Sequence, residues 1–164
     1  MSNLLALDQA SYTTGYTIFN NEKIIKVSHF DCVGDDLADR LVQFREKITN
    51  LINDYEIDEI VCEDIQLQDK NGKEVGIKTF KILAEVLGVL CELLQELDME
   101  YTIVPPIVWK ATFKIAGKGR TEEKKMAQEY VFNTYGIKCT EDEADATCIG
   151  AHVIQKQNSE FNWE

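Results

Sequence analysis

Leu4-Leu5-Ala6-Leu7-Asp8, then Gly15-Tyr16-Thr17-Ile18-Phe19, then Lys23 to Phe30 after an Asn20-Asn21 turn: this opening stretch decides the fold. Four apolar residues closed by an acid read as a buried strand. Two further strand-like runs joined by short turns predict an antiparallel meander. The period then changes. Leu37, Leu41, Phe44, Ile48, Leu51, Ile52 and Tyr55 recur at spacings of three and four, one face of a helix, with Asp35 or Asp36 placed to cap it. Glu59-Ile60-Val61-Cys62-Glu63 reads as a buried strand, and Phe80, Leu83, Leu87, Leu90, Leu94 and Leu97 mark a second long helix. Tyr101-Thr102-Ile103-Val104 is expected to be a fifth strand, stopped by Pro105-Pro106. A third helix should run from near Thr121 to before Gly136, and a last one from Thr140, where Thr140-x-x-Glu143 fits a capping box. The order βββαβαβαα predicts an α/β fold: a mixed five-stranded sheet, its first three strands antiparallel and the later ones parallel, with helices on both faces.

A chain of 164 residues with 45% hydrophobic content is expected to form one domain, residues 1–157, followed by a C-terminal tail, 158–164. Two prolines are too few for a linker-rich or disordered chain. The longest apolar run is a few residues, against about 20 for a membrane span. Met1-Ser2-Asn3 lacks the basic start of a signal peptide. Cys32, Cys62, Cys91, Cys139 and Cys148 are odd in number and contain no C-x-x-C pair, so reduced thiols and a cytoplasmic location are expected.

Seventeen Lys and Arg against 29 Asp and Glu give a net charge of −12, which by itself argues against a nucleic-acid binder. The distribution tells a different story. Asp31 to Asp64 holds eleven acids and three bases, a balance of −8, whereas Pro105 to Lys125 holds six bases and two acids, a balance of +4. The latter are Lys110, Lys114, Lys118, Arg120, Lys124 and Lys125. A loop from Gln68 to Lys81 is +2, with Lys70, Lys73, Lys78 and Lys81 against Asp69 and Glu74. Two basic segments on an acidic body are ordinary solvated surface unless something between them attracts phosphate.

The acids supply that something. Asp8 closes the first strand and Glu63 the fourth, and sites in open α/β sheets form outside the carboxyl ends of parallel strands. Asp142 and Asp145, three apart, share a face of the last helix. Taken singly, each has a structural explanation: a turn cap, a solvated strand end, an acid favoured by the helix dipole. Gathered, they repel one another, and hard divalent cations relieve that repulsion. Two Mg²⁺ ions about 4 Å apart suit phosphodiester hydrolysis, with the flanking lysines and arginine on the DNA phosphates.

These residues carry a family resemblance. Leu7-Asp8-Gln9-Ala10-Ser11 with Thr14-Gly15-Tyr16, Ile60-Val61-Cys62-Glu63, and Asp142-Glu143-Ala144-Asp145-Ala146 resemble, in order, the acidic motifs of RuvC-type Holliday-junction resolvases in the RNase H-like superfamily. Leu37-Ala38-Asp39-Arg40-Leu41 and Trp109-Lys110 fall in the same order. The resemblance implies an RNase H-like fold and a homodimer that nicks paired strands of a four-way DNA junction, with two Mg²⁺ ions per site and Mn²⁺ able to substitute. It assigns Asp8, Glu63, Asp142 and Asp145 to the metal, Lys110 to the neighbourhood of the scissile phosphate, and either Lys124 or Lys125 to a second basic position. Whether a branch-migration motor joins it is left open. The small size, acidic body and divergent loops look more like a phage-encoded member, which would work in the host cytoplasm. Two departures stand out. Gln9-Ala10 replaces the usual Pro-Gly, removing a permissive glycine from the turn. Gln66 stands where cellular members often carry an aromatic that stacks at the opened junction, predicting weaker opening or looser sequence preference.

Actin-like ATPases and sugar kinases also begin with a strand, an Asp and a glycine-containing hairpin, but need two lobes where this length supplies one. A broader nuclease on branched DNA or RNA–DNA hybrids would use the same acids, and a non-catalytic junction binder would not need all of them. His29 and His152 are expected to be structural, and Trp109 and Phe113 to anchor the core or touch DNA.

Overall fold

Strand β1 (Asn3–Asp8) is the middle of a five-stranded sheet ordered β3-β2-β1-β4-β5. The computed structural model describes residues 2–66 and 74–161. β2 (Thr13–Asn20) and β3 (Lys23–Asp31) complete the expected antiparallel meander. β4 (Glu59–Glu63) lies parallel to β1, and β5 (Glu100–Val104) parallel to β4. The central place of β1 explains its unbroken apolar run: Leu4, Leu5, Ala6 and Leu7 are all buried because both faces are covered.

Alternation along the strands separates two cores. Leu5, Leu7, Ile60 and Cys62 pack with Phe44, Ile48 and Ile52 of α1 (Leu37–Asp54) and with Val86, Leu90, Leu93 and Leu94 of α2 (Glu74–Glu96). Leu4, Ala6, Val61 and Val104 pack on the other face, against α3 (Pro106–Thr112), α4 (Arg120–Tyr135) and α5 (Glu141–Phe161). By the same period of two, Asp8 and Glu63 continue the second row and face α5.

α5 lies unusually close to the sheet, and two glycines allow it. A Cβ on Gly15 would come 2.2 Å from the Asp142 carbonyl oxygen, and one on Gly150 would come 2.4 Å from the Phe19 ring. Between them, the Thr17 and Thr147 hydroxyls share a buried hydrogen bond of 2.7 Å. From Ala144 to Ala151 the helix is buried all round. Its start is the expected capping box: Glu143 N donates to Thr140 Oγ1 at 3.3 Å, and Thr140 N donates to Glu143 Oε1 at 2.9 Å. Asp36, not Asp35, caps α1 by accepting from Ala38 N at 2.9 Å.

Four expectations change. Pro105-Pro106 ends β5 but also begins the short helix α3, because proline at the first helical position has no N–H to lose. α2 starts at Glu74, so Lys78 and Lys81 ride exposed on a helix rather than in a loop; Lys70 and Lys73 lie outside the described residues. The buried stripe of α2 is rotated toward Val86 and Leu93, leaving Leu97 40% exposed. α5 continues to Phe161, past the point where the tail was expected to begin. All five cysteines are free, and no helix among the described residues is long and apolar enough to cross a membrane.

Candidate active site

Three adjacent strands bring the first two acids together. Leu7 pairs with Cys62 across the β1–β4 ladder, so Asp8 and Glu63 follow side by side at its carboxyl end. Asp8 also pairs with Gly15, and onto Gly15 descends the Asp142 main chain at the start of α5. One helical turn on, Asp145 is buried at 7% exposure against the same edge. The electrostatics register the gathering. Burial pushes the Asp8 carboxyl well above the usual carboxylate range, and Glu63, Asp145 and Asp142 push it further, against a partial pull from Lys124. Burial raises Glu63 to about 7, with Asp145 adding to the effect. Asp145 is raised as well, mainly by burial, despite an ion pair.

That ion pair belongs to Lys124, whose Nζ stands 2.5 Å from Asp145 Oδ2. Burial works against its ammonium, but Asp145, Asp8 and Asp142 more than offset this and hold its pKa above the ordinary value. Of the two lysines between which the sequence left a choice, Lys124 therefore enters the site and Lys125 stays exposed. Lys110, at the end of α3, is close enough to Glu63 and Asp145 to favour their charged forms, and its Nζ lies 3.9 Å from Glu123 Oε1. Lys114 and Lys118 are exposed on the segment between α3 and α4, and Arg120 is exposed at the first position of α4. Lys110 and Lys124 thus flank the acids, while Lys78 and Lys81 sit on the helix layer of the opposite face.

Glu63 is gripped twice by residues whose roles the sequence did not reveal. Trp109, 1% exposed, donates its indole N–H to Glu63 Oε2 at 2.7 Å, and is a core anchor rather than a DNA contact. Gln9 bonds the Glu63 main chain: Nε2 donates to Glu63 O at 2.6 Å and Oε1 accepts from Glu63 N at 3.2 Å. The histidines are structural, as expected. His29 Nδ1 meets Glu143 Oε2 at 2.8 Å, and His152 Nδ1 meets Thr112 Oγ1 at 2.7 Å, tying α5 to β3 and α3. Phe113 stacks on Tyr130, with ring centroids 4.4 Å apart.

Does this donor set suit a divalent cation? Hard oxygen donors, buried and mutually repelling, are what Mg²⁺ selects. With Lys124 on Asp145 and the Trp109 indole on Glu63, no three Asp, Glu, His or Cys side chains among the described residues converge on one point as they stand. The charge and chemistry fit the ion, and the ammonium of Lys124 supplies part of the positive charge in its place.

The sheet order β3-β2-β1-β4-β5, antiparallel and then parallel, with helices on both faces, is the RNase H-like fold seen in RuvC and other Holliday junction resolvases. T. thermophilus RuvC in complex with a Holliday junction substrate superposes with a TM-score of 0.72 at 10% identity, covering 95% of this chain and 96% of that one. Fowlpox virus resolvase, solved with its substrate Holliday junction DNA, gives 0.63 at 14% identity over 94% and 98%. The yeast mitochondrial Holliday junction resolvase Ydc2 gives 0.61 at 13% identity, covering 96% of this chain and 79% of that one. No protein-family model and no curated protein matches the sequence.

Proposed function

We propose that this chain is a metal-dependent endonuclease that resolves four-way DNA junctions by paired nicks, acting as a homodimer. The observation that carries the reading is the placing of Asp8 and Glu63 side by side at the ends of β1 and β4, with Asp142 and Asp145 of α5 close enough to act on Asp8. Burial first, and the neighbouring carboxylates after it, raise the pKa values of Asp8, Glu63 and Asp145, a cost that a purely structural role would avoid. The junction as substrate is supported by the likeness, along nearly the whole chain, to proteins solved with Holliday junctions.

Asp8, Glu63, Asp142 and Asp145 would hold two Mg²⁺ ions, or Mn²⁺ in their place. Bound there, the ions supply the charge stabilisation and the activated water that hydrolysis to a 5′-phosphate and a 3′-hydroxyl needs. The chain does the rest. Trp109 holds the Glu63 carboxylate oriented while the strands fix its distance from Asp8. Lys124, which is paired with Asp145, and Lys110 would face the scissile phosphate and steady its charge. Lys114, Lys118, Arg120 and Lys125 reach backbone phosphates on either side and fix register without reading sequence.

The test compares four-way, three-way, flap and RNA–DNA hybrid substrates, with Mg²⁺ and with Ca²⁺, for the wild type and Glu63→Gln. We expect preferential paired nicking of the four-way junction in Mg²⁺, loss of about 10²-fold or more in Glu63→Gln, and junction binding retained in Ca²⁺. Equal cleavage of all substrates would make it a broader nuclease. Undiminished cutting by Glu63→Gln would remove the acidic site from the chemistry.

A further inference from the structure

The ladder between β1 and β4 stops one residue too early. Its last registered pair is Leu7 with Cys62, so Asp8 and Glu63, where spacing matters most, are not themselves a paired rung. A side chain completes it. The carboxamide of Gln9 presents one donor and one acceptor in the arrangement of a peptide unit. It takes both main-chain groups of Glu63, at 2.6 Å and 3.2 Å, as a neighbouring strand would. Gln9 is 6% exposed, so neither bond is readily replaced by water.

The turn that carries Gln9 is itself closed from within. Ala10 N donates to Thr14 Oγ1 at 3.2 Å, and the Thr14 hydroxyl donates back to Ala10 O at 3.1 Å. None of the residues from Gln9 to Tyr12 has a positive φ, so the turn does not need the glycine that Ala10 displaces. A rigid turn therefore delivers an amide directly beside Asp8 onto the backbone of Glu63. The far end of the same residue, its carboxylate, is held by Trp109.

We propose that Gln9 is a positioning residue for the acidic site: its side-chain amide extends the β1–β4 ladder by one rung and thereby sets the spacing of Asp8 and Glu63 for a divalent cation. This rests on the reading of these acids as a cation site, but not on the identity of the DNA substrate. Gln9→Met keeps the volume and deletes both bonds. Gln9→Asn keeps the amide but is one methylene short, and guards against a Met variant that fails to fold. Thr14→Val loosens the same turn without touching Glu63.

Three measurements separate positioning from general stability. In the metal-free protein, hydrogen exchange at the Glu63 amide should speed at least about 10-fold in both Gln9 variants, while Val61 and Cys62 keep their protection. Mn²⁺ affinity, read by the electron paramagnetic resonance of the free ion, should fall about 10-fold in both and distinctly less in Thr14→Val, which keeps the Gln9 amide. With junction DNA, kcat should fall about 10- to 100-fold at nearly unchanged KM. Unchanged Mn²⁺ affinity in both Gln9 variants overturns the proposal, as does an equal loss in Thr14→Val. If the wild type cuts no junction, the substrate reading fails, and the exchange and Mn²⁺ measurements still decide the role of Gln9.

Discussion

Replacing Gly15 by alanine adds one methyl group at the point where α5 touches the sheet, and its consequences follow from the geometry. The new Cβ would stand 2.2 Å from the Asp142 carbonyl oxygen, where real Cβ atoms essentially never come within 3.0 Å. The obstacle is main chain on both sides, so no flexible side chain can swing away. The start of α5 has to retreat by roughly 0.8 Å, and overpacking of this kind typically costs about 1–3 kcal/mol. Retreat moves Asp142 and Asp145 away from Asp8 together. A displacement of about 1 Å in a reacting constellation can cost about 10²-fold in rate, so activity should suffer well beyond what the lost stability explains. The assay is single-turnover cleavage of a four-way junction across a Mg²⁺ titration, beside thermal melting of the same variant. Gly88→Ala is the control: its Cβ meets open space within α2, and alanine there should if anything stabilise by a few tenths of a kcal/mol or more. We expect Gly15→Ala to cut about 10²-fold more slowly or to need far more Mg²⁺, with Gly88→Ala like the wild type. Normal cleavage and normal melting in Gly15→Ala would refute the close placement of α5 and, with it, the four-acid site.

Two further outcomes can be checked on the protein without DNA. Glu63 and Asp8 titrate above their ordinary range when folded, Glu63 at about 7, so their contribution to stability is complete at acid pH and is lost as pH rises through those values. The melting temperature of the metal-free chain should therefore fall between about pH 5 and pH 8 relative to a Glu63→Gln variant, and Mg²⁺ should restore it more at pH 8 than at pH 5; a parallel pH dependence in the two would contradict it. Thr17→Val leaves Thr147 bonded to the Glu143 carbonyl and should cost about 1 kcal/mol, whereas Thr147→Val strands the buried Thr17 hydroxyl and should cost about 1–3 kcal/mol. Urea denaturation of the double variant should give less than the sum, and strict additivity would deny the shared bond.

The acids at strand ends were legible because a strand announces itself by its apolar run and its last residue is then fixed in place. Asp8 and Glu63 needed nothing beyond local pattern, whereas that β1 and β4 are neighbours came from the structure. The helix pair Asp142 and Asp145 was legible for the same reason, through the capping box at Thr140. What the pattern did not carry were contacts between side chains far apart in sequence. Gln9 reaches 54 residues along the chain and Trp109 reaches 46, and neither leaves a periodic trace. Lys124 was within reach of sequence reasoning. Ala127 and Val131, three and seven residues on, are buried against α5, so the phase of α4 turns Lys124 inward and Lys125 outward. The apolar face of α4 is too thin for that phase to stand out. The seven residues of α3 were missed because a double proline reads first as a stop.

How can a chain of net charge −12 offer a surface to DNA? Screening makes the answer local. At physiological salt the Debye length is about 8 Å, so exposed acids farther than this from a phosphate contribute little to its binding. Contact charge decides the rest, and around the site it is divided by burial. Of the acids that would hold the cations, Asp145 is buried at 7% exposure and Asp8, Glu63 and Asp142 are partly buried, whereas Lys114, Lys118, Arg120 and Lys125 stand out in solvent. Burial raises the carboxyl pKa values and makes the acids demand a counter-ion; the same burial hides their charge from the DNA. An acidic body and a phosphodiester substrate are therefore compatible only with the acids kept deep and the bases kept shallow. Exposing Asp8 or Glu63 would weaken cation binding and repel the substrate at the same time.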